Sequence, residues 1–406
     1  MEALRIGIVG AGAIAQRNAT EAAASGAAKI VGVFDLNHKV AREMAKALSA
    51  PFYPSYEALL ASPDLEAVLL SVPHYLHKSM TMEAAVRGKH VLVEKPMANT
   101  LDEAKEMIAC CKQNGVLLTV NYSFRYLPKI QKAKQFIDEG ALGDITGIQI
   151  IAHQFKDRGY WTGARSNSPD DWRASKEKCG GGFLIMNVCH VIDYIYFITG
   201  LKGARVYSEY ATLGSPADVE DIISVTSRLT NGGIASISAS SIMRGTDQAE
   251  ERIWGTKGTL ILNADGISLY STRPIDGKRP GKMTRYAKFP AVSWTAEWVK
   301  GFASAVRQGK EPDISFQEGW ENLAFISAAY QSMERNAPVE VSAFARATAR
   351  QAKVGGGSRM GVYRGPSRLD KSLVAPAHRR ISAMREGSYC SRDDLTPPTV
   401  GKTLSP

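Results

Sequence analysis

A chain of 406 residues, 44% of them hydrophobic and 22% charged, has enough apolar material for two cores, which excludes a fibrous or mostly disordered polymer. The formal net charge of +10 suggests nucleic acid until it is located: residues 346–406 hold 12 Lys and Arg against 4 Asp and Glu, leaving +2 on the body. No nucleic-acid partner is therefore expected, and no membrane either, since the most apolar run, 183–198, is broken by Asn187, His190 and Asp193.

Residues 4–9 read as a strand, followed by Gly10, Gly12 and Ala15 at the G-x-G-x-x-A spacing, with Ala13 and Ile14 on the turn. The first glycine permits the turn, the second lets backbone approach a pyrophosphate, and the small third residue lets helix lie on strand. The opening 1–15 imitates a signal peptide, but this turn fits it better. A helix over 14–25 and a strand over 29–34 come next, ending on Asp35, 25 residues beyond Gly10. A carboxylate there is placed to accept from adenosine ribose hydroxyls and to repel a 2′-phosphate, so NAD is expected ahead of NADP. Lys39 and Arg42 leave room for NADP, and strand termination with helix capping is the competing use of Asp35.

Strand and helix keep alternating: 67–72, 76–86, 90–93, 101–113 and 116–121. This predicts a doubly wound α/β Rossmann domain over 1–123, with ligands gathered at the carboxyl ends of its strands. Pro73, His77, Glu94, Lys95 and Asn121 lie at or just beyond those ends and complete the expected cofactor set. Lys95, in Glu94-Lys95-Pro96, can send an ammonium group into the cleft. Tyr122 and Arg125 follow Asn121 and are candidates to face it.

After residue 123 the pattern changes. A helix over 128–139, a strand over 145–155, a polar loop over 156–180 and a helix over 183–198 precede strands at 205–213, 221–229, 234–242, 251–262 and 267–271. Asn231-Gly232-Gly233 marks a hairpin. Helices at 294–307 and 317–335 close an α+β domain over 124–345 with a mostly antiparallel open sheet. Residues 346–406 lack any period and are expected to be a disordered, basic tail. Cys110, Cys111, Cys179, Cys189 and Cys390 show neither paired nor metal-ligand spacing, so no metal and a reducing cytoplasm are expected.

Over residues 4–342 these features resemble the Gfo/Idh/MocA family of nicotinamide-dependent oxidoreductases. The resemblance is carried by Gly88-Lys89-His90-Val91 with Glu94-Lys95-Pro96, the glycine turn with Asp35, the 73–77 segment, Trp172-Arg173, Gly180 to Gly182 with His190 and Asp193, and Gly255-Thr256-Lys257-Gly258-Thr259. It implies hydride transfer between nicotinamide and a hydroxyl or carbonyl carbon of a sugar, cyclitol or polyol, with Lys95 and His190 catalytic. It also implies a homo-oligomer that buries an exposed sheet face. In the family an aspartate stands four residues before the histidine; here that residue is Met186. Asn187 shares a helix face with His190 and is a candidate to orient it or bind substrate. Asp193, one turn on, is a candidate partner of His190. Trp172, Arg173 and their neighbours Tyr160, Trp161, Arg165 and Asp171 are candidates for a sugar-binding wall, with loop anchoring the competing use. The missing acid keeps open an enzyme that labilises a glycosidic bond by transient oxidation, and a dinucleotide-sensing regulator without turnover.

Overall fold

The computed structural model describes residues 2–162 and 172–341. Its first layer runs β1 (Leu4–Val9), α1 (Ala13–Ala24), β2 (Ala28–Phe34), α2 (His38–Ala47), α3 (Tyr56–Leu60), β3 (Ala67–Leu70), α4 (His77–Val86), β4 (His90–Val93), α5 (Leu101–Gln113) and β5 (Leu118–Val120). The strands are parallel, in the order β2-β1-β3-β4-β5. Burial on both faces explains their unbroken apolar runs: every residue of β3 and nearly all of β1 and β4 are buried. Asn37, Ser55 and Thr100 cap α2, α3 and α5 through side-chain oxygens. The start of α1, at Gly12, has no such cap.

The second layer runs α6 (Pro128–Asp138), β6 (Ile145–His153), α7 (Arg158–Trp161), α8 (Lys176–Cys179), a π-helical turn at Leu184–Val188 leading into α9 (Cys189–Thr199), β7 (Gly203–Ala211), β8 (Ile222–Leu229), β9 (Ile234–Ser240), β10 (Gln248–Gly255), β11 (Gly258–Asn263), β12 (Gly266–Ser271), β13 (Thr284–Tyr286), α10 (Trp294–Gln308), α11 (Phe316–Arg335) and β14 (Val339–Glu340). Its nine strands lie in the order β13-β12-β11-β10-β6-β9-β8-β7-β14. Among the described residues, only the central β6–β9 pair of this sheet is parallel. The chain is thus a Rossmann-like parallel domain followed by a domain with a mostly antiparallel sheet. Strict alternation of burial along β8 shows that one face of that sheet is covered and the other open.

Several local expectations change, and the loop expected over 156–180 holds the short helices α7 and α8. The strand expected over 251–262 is a hairpin, with Trp254 pairing Thr259 around Gly255 and Gly258, where an added Cβ would collide with backbone oxygens of Leu142 and Tyr270. The helix expected over 183–198 begins with the π-helical turn. The helical run Lys176–Thr199 is, by length and composition, apolar enough to cross a bilayer, but 78% of its most apolar window is buried inside the protein.

The chain returns to the first sheet at its far end. Trp298 of α10 donates through Nε1 to Thr119 Oγ1 at 2.9 Å, and that hydroxyl donates to the Ile314 carbonyl at 2.5 Å. Arg307 holds Glu66 with two bonds of 2.8 Å and also donates to the carbonyls of Glu2 and Ala3. The helix α11 packs along β7, where Ser208 Oγ donates to the Ala329 carbonyl at 2.5 Å.

Candidate active site

Gly10 has φ +95°, and a Cβ there would collide with the Ser71 carbonyl, so this turn takes only glycine. No acidic side chain lies in the first turn of α1, and no side chain caps its start at Gly12. Beside it sits Asp35, whose carboxylate accepts from the Ala11 and Asn37 N–H groups at 2.7 Å each. Ile14 stands 48% exposed on the same turn, next to Ala13, and Pro73 lies half-buried beyond β3. This arrangement fits a dinucleotide, with a backbone cradle for pyrophosphate and a carboxylate for a ribose.

At the end of β4 the polar groups divide their work. Glu94 is 9% exposed, and its Oε1 accepts from Asn18 Nδ2 of α1 and from Asn121 Nδ2, both at 2.6 Å. Asn121 Oδ1 in turn accepts from Ser123 Oγ at 2.5 Å. Glu94 and Asn121, expected on the cofactor, are thus occupied with each other, because side chains that cannot be left unpaired in the core need a partner there. His77 changes likewise: it is fully buried, with Nδ1 2.8 Å from the Pro96 carbonyl and Nε2 3.1 Å from the Val72 carbonyl, so neither nitrogen is left for a ligand. Lys95 is different. It is half-buried, it follows Glu94 into a cis peptide with Pro96, and its Nζ donates to the Met186 carbonyl at 2.5 Å.

Met186 lies in the π-helical turn, so the second layer meets Lys95 with a main-chain oxygen where the family pattern has a carboxylate. One turn on, the His190 ring stacks on Phe124 at 4.4 Å between centroids and meets Tyr122 edge-on. Its Nδ1 is buried with no partner among the described residues, although the residue as a whole is half-exposed. Phe124 contacts Trp294 edge-on at 5.5 Å, and the Arg17 guanidinium lies over that indole at 5.0 Å. Burial holds the His190 pKa well below its ordinary value, and the charges of Lys95 and Arg17 push the same way. The imidazole is therefore neutral near pH 7, with one ring nitrogen unprotonated.

Asn187 does not orient His190; its Oδ1 accepts from Tyr160 Oη at 2.8 Å. Arg173 lies over the rings of Tyr160 and Trp172 at 5.4 and 4.4 Å, and Trp172 meets His74 edge-on at 4.5 Å. Trp172 is only 7% exposed, so packing against His74 and Arg173 uses most of its surface. Trp161 is fully buried, and Arg165 and Asp171 lie outside the described residues, as does the tail over 346–406.

Two expected substrate contacts turn inward. Tyr122 is 1% exposed. Arg125 is 6% exposed and grips Asp193 with two bonds, 2.8 Å from Nε and 2.6 Å from Nη2, while Glu318 stands at 3.6 Å. Asp193 therefore pairs with Arg125 and not with His190, because a buried guanidinium needs a carboxylate more than a neutral imidazole does. Sequence reasoning missed Arg17, Phe124 and Trp294. Their only sequence signal is that Arg17 follows the glycine turn by one helical turn, and nothing in the chain order joins it to Phe124.

Residues 4–122 match the family model described as an oxidoreductase family with an NAD-binding Rossmann fold, and residues 130–261 match the GFO/IDH/MocA C-terminal domain. The chain belongs to the GFO/IDH/MocA oxidoreductase family. Among its family relatives is levoglucosan dehydrogenase of Pseudarthrobacter phenanthrenivorans, 29% identical over 231 residues that span 51% of this chain and 58% of that one, under two thirds of its length. D-xylose 1-dehydrogenase (NADP(+)) 2 of Haloferax volcanii is 26% identical over 341 residues, covering 83% and 100%. A solved levoglucosan dehydrogenase in complex with NADH and levoglucosan shares the fold, with TM-score 0.74 at 23% identity over 84% of this chain and 100% of that one.

Proposed function

We propose that this family member is a dehydrogenase or reductase that moves hydride between NAD and a hydroxyl or carbonyl carbon of a sugar, cyclitol or related polyol. The observation that carries this is the meeting of Lys95 from the end of β4 with the helix bearing His190, beyond a glycine turn suited to pyrophosphate. The nicotinamide would supply the hydride acceptor or donor. What remains for the chain is to hold the substrate carbon in place and move one hydroxyl proton. Lys95 Nζ, aimed by the Met186 carbonyl, is the group we assign to the reacting oxygen. His190, uncharged and half-exposed, is the group we assign to proton acceptance. Half-exposed Asn187 and Arg173 are our remaining choices for substrate contact.

Asp35 supports NAD over NADP, since a 2′-phosphate beside this carboxylate would be repelled. The printed coenzyme of the Haloferax relative makes this worth direct comparison. We also assign the open face of the second sheet, where Tyr207, Ile222, Ile234 and Trp254 are exposed, to contact with a second copy.

The test is purified protein with NAD or NADP and a panel of sugars and polyols, followed by absorbance at about 340 nm, which reads the nicotinamide itself. Turnover with NAD is expected. Tight NADH binding with no turnover on any member of the panel would overturn the reading, and release of a leaving group without net NADH would redirect it to transient oxidation. Lys95→Ala is expected to lower kcat by roughly 10²- to 10⁴-fold with NADH binding kept.

A further inference from the structure

Three consecutive N–H groups at the start of the helix that carries Met186 and His190 end on one residue of the second sheet's β7–β8 connection. The Gly182 N–H donates to Glu220 Oε2 at 2.5 Å, the Leu184 N–H to Glu220 Oε1 at 2.9 Å, and the Phe183 N–H to the Glu220 main-chain carbonyl at 3.1 Å. The helix has no side-chain cap of its own at Phe183. A carboxylate from a distant element thus satisfies its leading donors and faces its positive dipole end. Glu220 is 3% exposed, and Tyr330 Oη of α11 donates to Oε1 at 2.9 Å, so the clamp is tied to the layer behind it.

The glycine run is shaped around this clamp. A Cβ on Gly182 would collide with the Glu220 carbonyl and one on Gly181 with the Tyr330 hydroxyl, while one on Gly180 would come within 2.9 Å of Asn99 Oδ1. The same connection also holds the preceding segment. Asp218 accepts from the Lys176 N–H at 2.6 Å and donates its own N–H to the Ala174 carbonyl at 2.9 Å. Asp221 folds the connection on itself by accepting from the N–H groups of Leu213, Gly214 and Ser215.

We propose that Glu220 is a positioning residue that sets Lys95 and His190 in register by fixing where their helix begins; this rests on the reading of those two as the proton-transfer pair. Lys95 is aimed by a main-chain oxygen. A carboxylate side chain in that place could rotate to follow the lysine, whereas a carbonyl moves only with its helix. Any slip at Gly182–Leu184 therefore reaches Lys95 Nζ through Met186 and reaches the His190 ring one turn later.

The experiment compares Glu220→Ala, Glu220→Gln and Tyr330→Phe with the wild type. In Glu220→Ala, kcat is expected to fall roughly 10- to 100-fold, the cost of a misplacement of about an ångström. NADH Kd should stay within about threefold, since the glycine turn at Gly10 is untouched, and substrate KM should change less than kcat although Asn187 rides on the same helix. Glu220→Gln keeps one oxygen acceptor and should recover part of the loss, and Tyr330→Phe should show a smaller effect of the same kind. A wild-type kcat in Glu220→Ala, or a loss confined to KM, overturns the proposal. A readout without turnover separates it from the enzymatic reading: acylation of Lys95 by an amine-directed reagent, followed by peptide mass spectrometry. Faster modification, by about threefold or more, is expected when the carbonyl no longer holds the ammonium. If no polyol turns over but this rate rises, only the enzymatic reading fails; an unchanged rate overturns the clamp. Should Glu220→Ala not fold, the Gln and Phe variants carry the same comparisons, with the same outcomes deciding.

Discussion

His190 shows how few groups set the chemistry. Its imidazole is held uncharged first by burial, then by the positive charges of Lys95 and Arg17. Arg17→Met removes one of those charges, so the ring should protonate more readily. The acidic limb of kcat/KM against pH is then expected to move upward by about half a unit, the size of a partly screened charge at short range. An unmoved limb would separate Arg17 from the site. The second residue-scale prediction concerns Asp35. In Asp35→Ser the ribose partner weakens and repulsion of a 2′-phosphate disappears, so the ratio of kcat/KM for NAD over NADP should fall by about tenfold, one charged hydrogen bond's worth. Because Asp35 also accepts from Ala11 and Asn37, a fall with both coenzymes equally would show that its main work is holding the turn.

Between elements, the pair of Arg125 and Asp193 joins the turn after β5 to α9. Asp193→Ala leaves a buried guanidinium with only the more distant Glu318, and a loss of about 3 to 5 kcal/mol in urea unfolding is expected. This pair also shows what could be read in the chain. The strands of the first sheet were legible because a parallel strand buried on both faces is an unbroken apolar run, and Lys95 was legible because such a strand ends beside it. Glu94, His77, Asn121 and Arg125 are polar residues at strand ends too, and by type alone they pass for ligand contacts. Asn18, the Pro96 carbonyl and Asp193 come from elsewhere in the fold, and even the near partners, Ser123 and the Val72 carbonyl, leave no pattern by which a satisfied polar group differs from a waiting one. The π-helical turn is equally silent, since Leu184–Val188 holds neither glycine nor proline. The glycine run was legible as something special, but its cause, Glu220 and Tyr330, lies far along the chain. At 251–262 the β-branched and apolar residues on both sides of Gly255-Thr256-Lys257-Gly258 masked the turn that the two glycines announce.

At the scale of the molecule, the last helices help build the first sheet. The Arg307 guanidinium, by hydrogen bonding, holds the Glu66 carboxyl down at about 2, with the charges of Arg307 and Arg5 adding to the effect. A carboxyl whose folded value is depressed stabilises the fold above its unfolded value and loses that contribution as pH falls through the folded one. Stability should therefore decline from about pH 4.5 towards pH 2, and Glu66→Gln should flatten that decline in melting measurements taken across the range. A mutant and wild type with parallel curves would mean that α10 is held by its apolar contacts, Trp298 and Phe302, and not by this pair.

The single parallel seam in the second sheet has a consequence for the order in which the chain can assemble. It joins Ile148 to Ala235 and Ile150 to Ile237, residues that are remote in sequence, at the centre of nine strands. Closing so long a loop costs chain entropy before any contact repays it. Everything between the two strands, including α9, the glycine run and Glu220, is inside that loop. The hairpins β8–β9 and β10–β11 pair strands adjacent in sequence, whereas the seam pairs strands separated by the whole of that loop. The residues of the candidate site that come from the second layer, Met186 and His190 among them, are thus carried inside the loop that this seam closes.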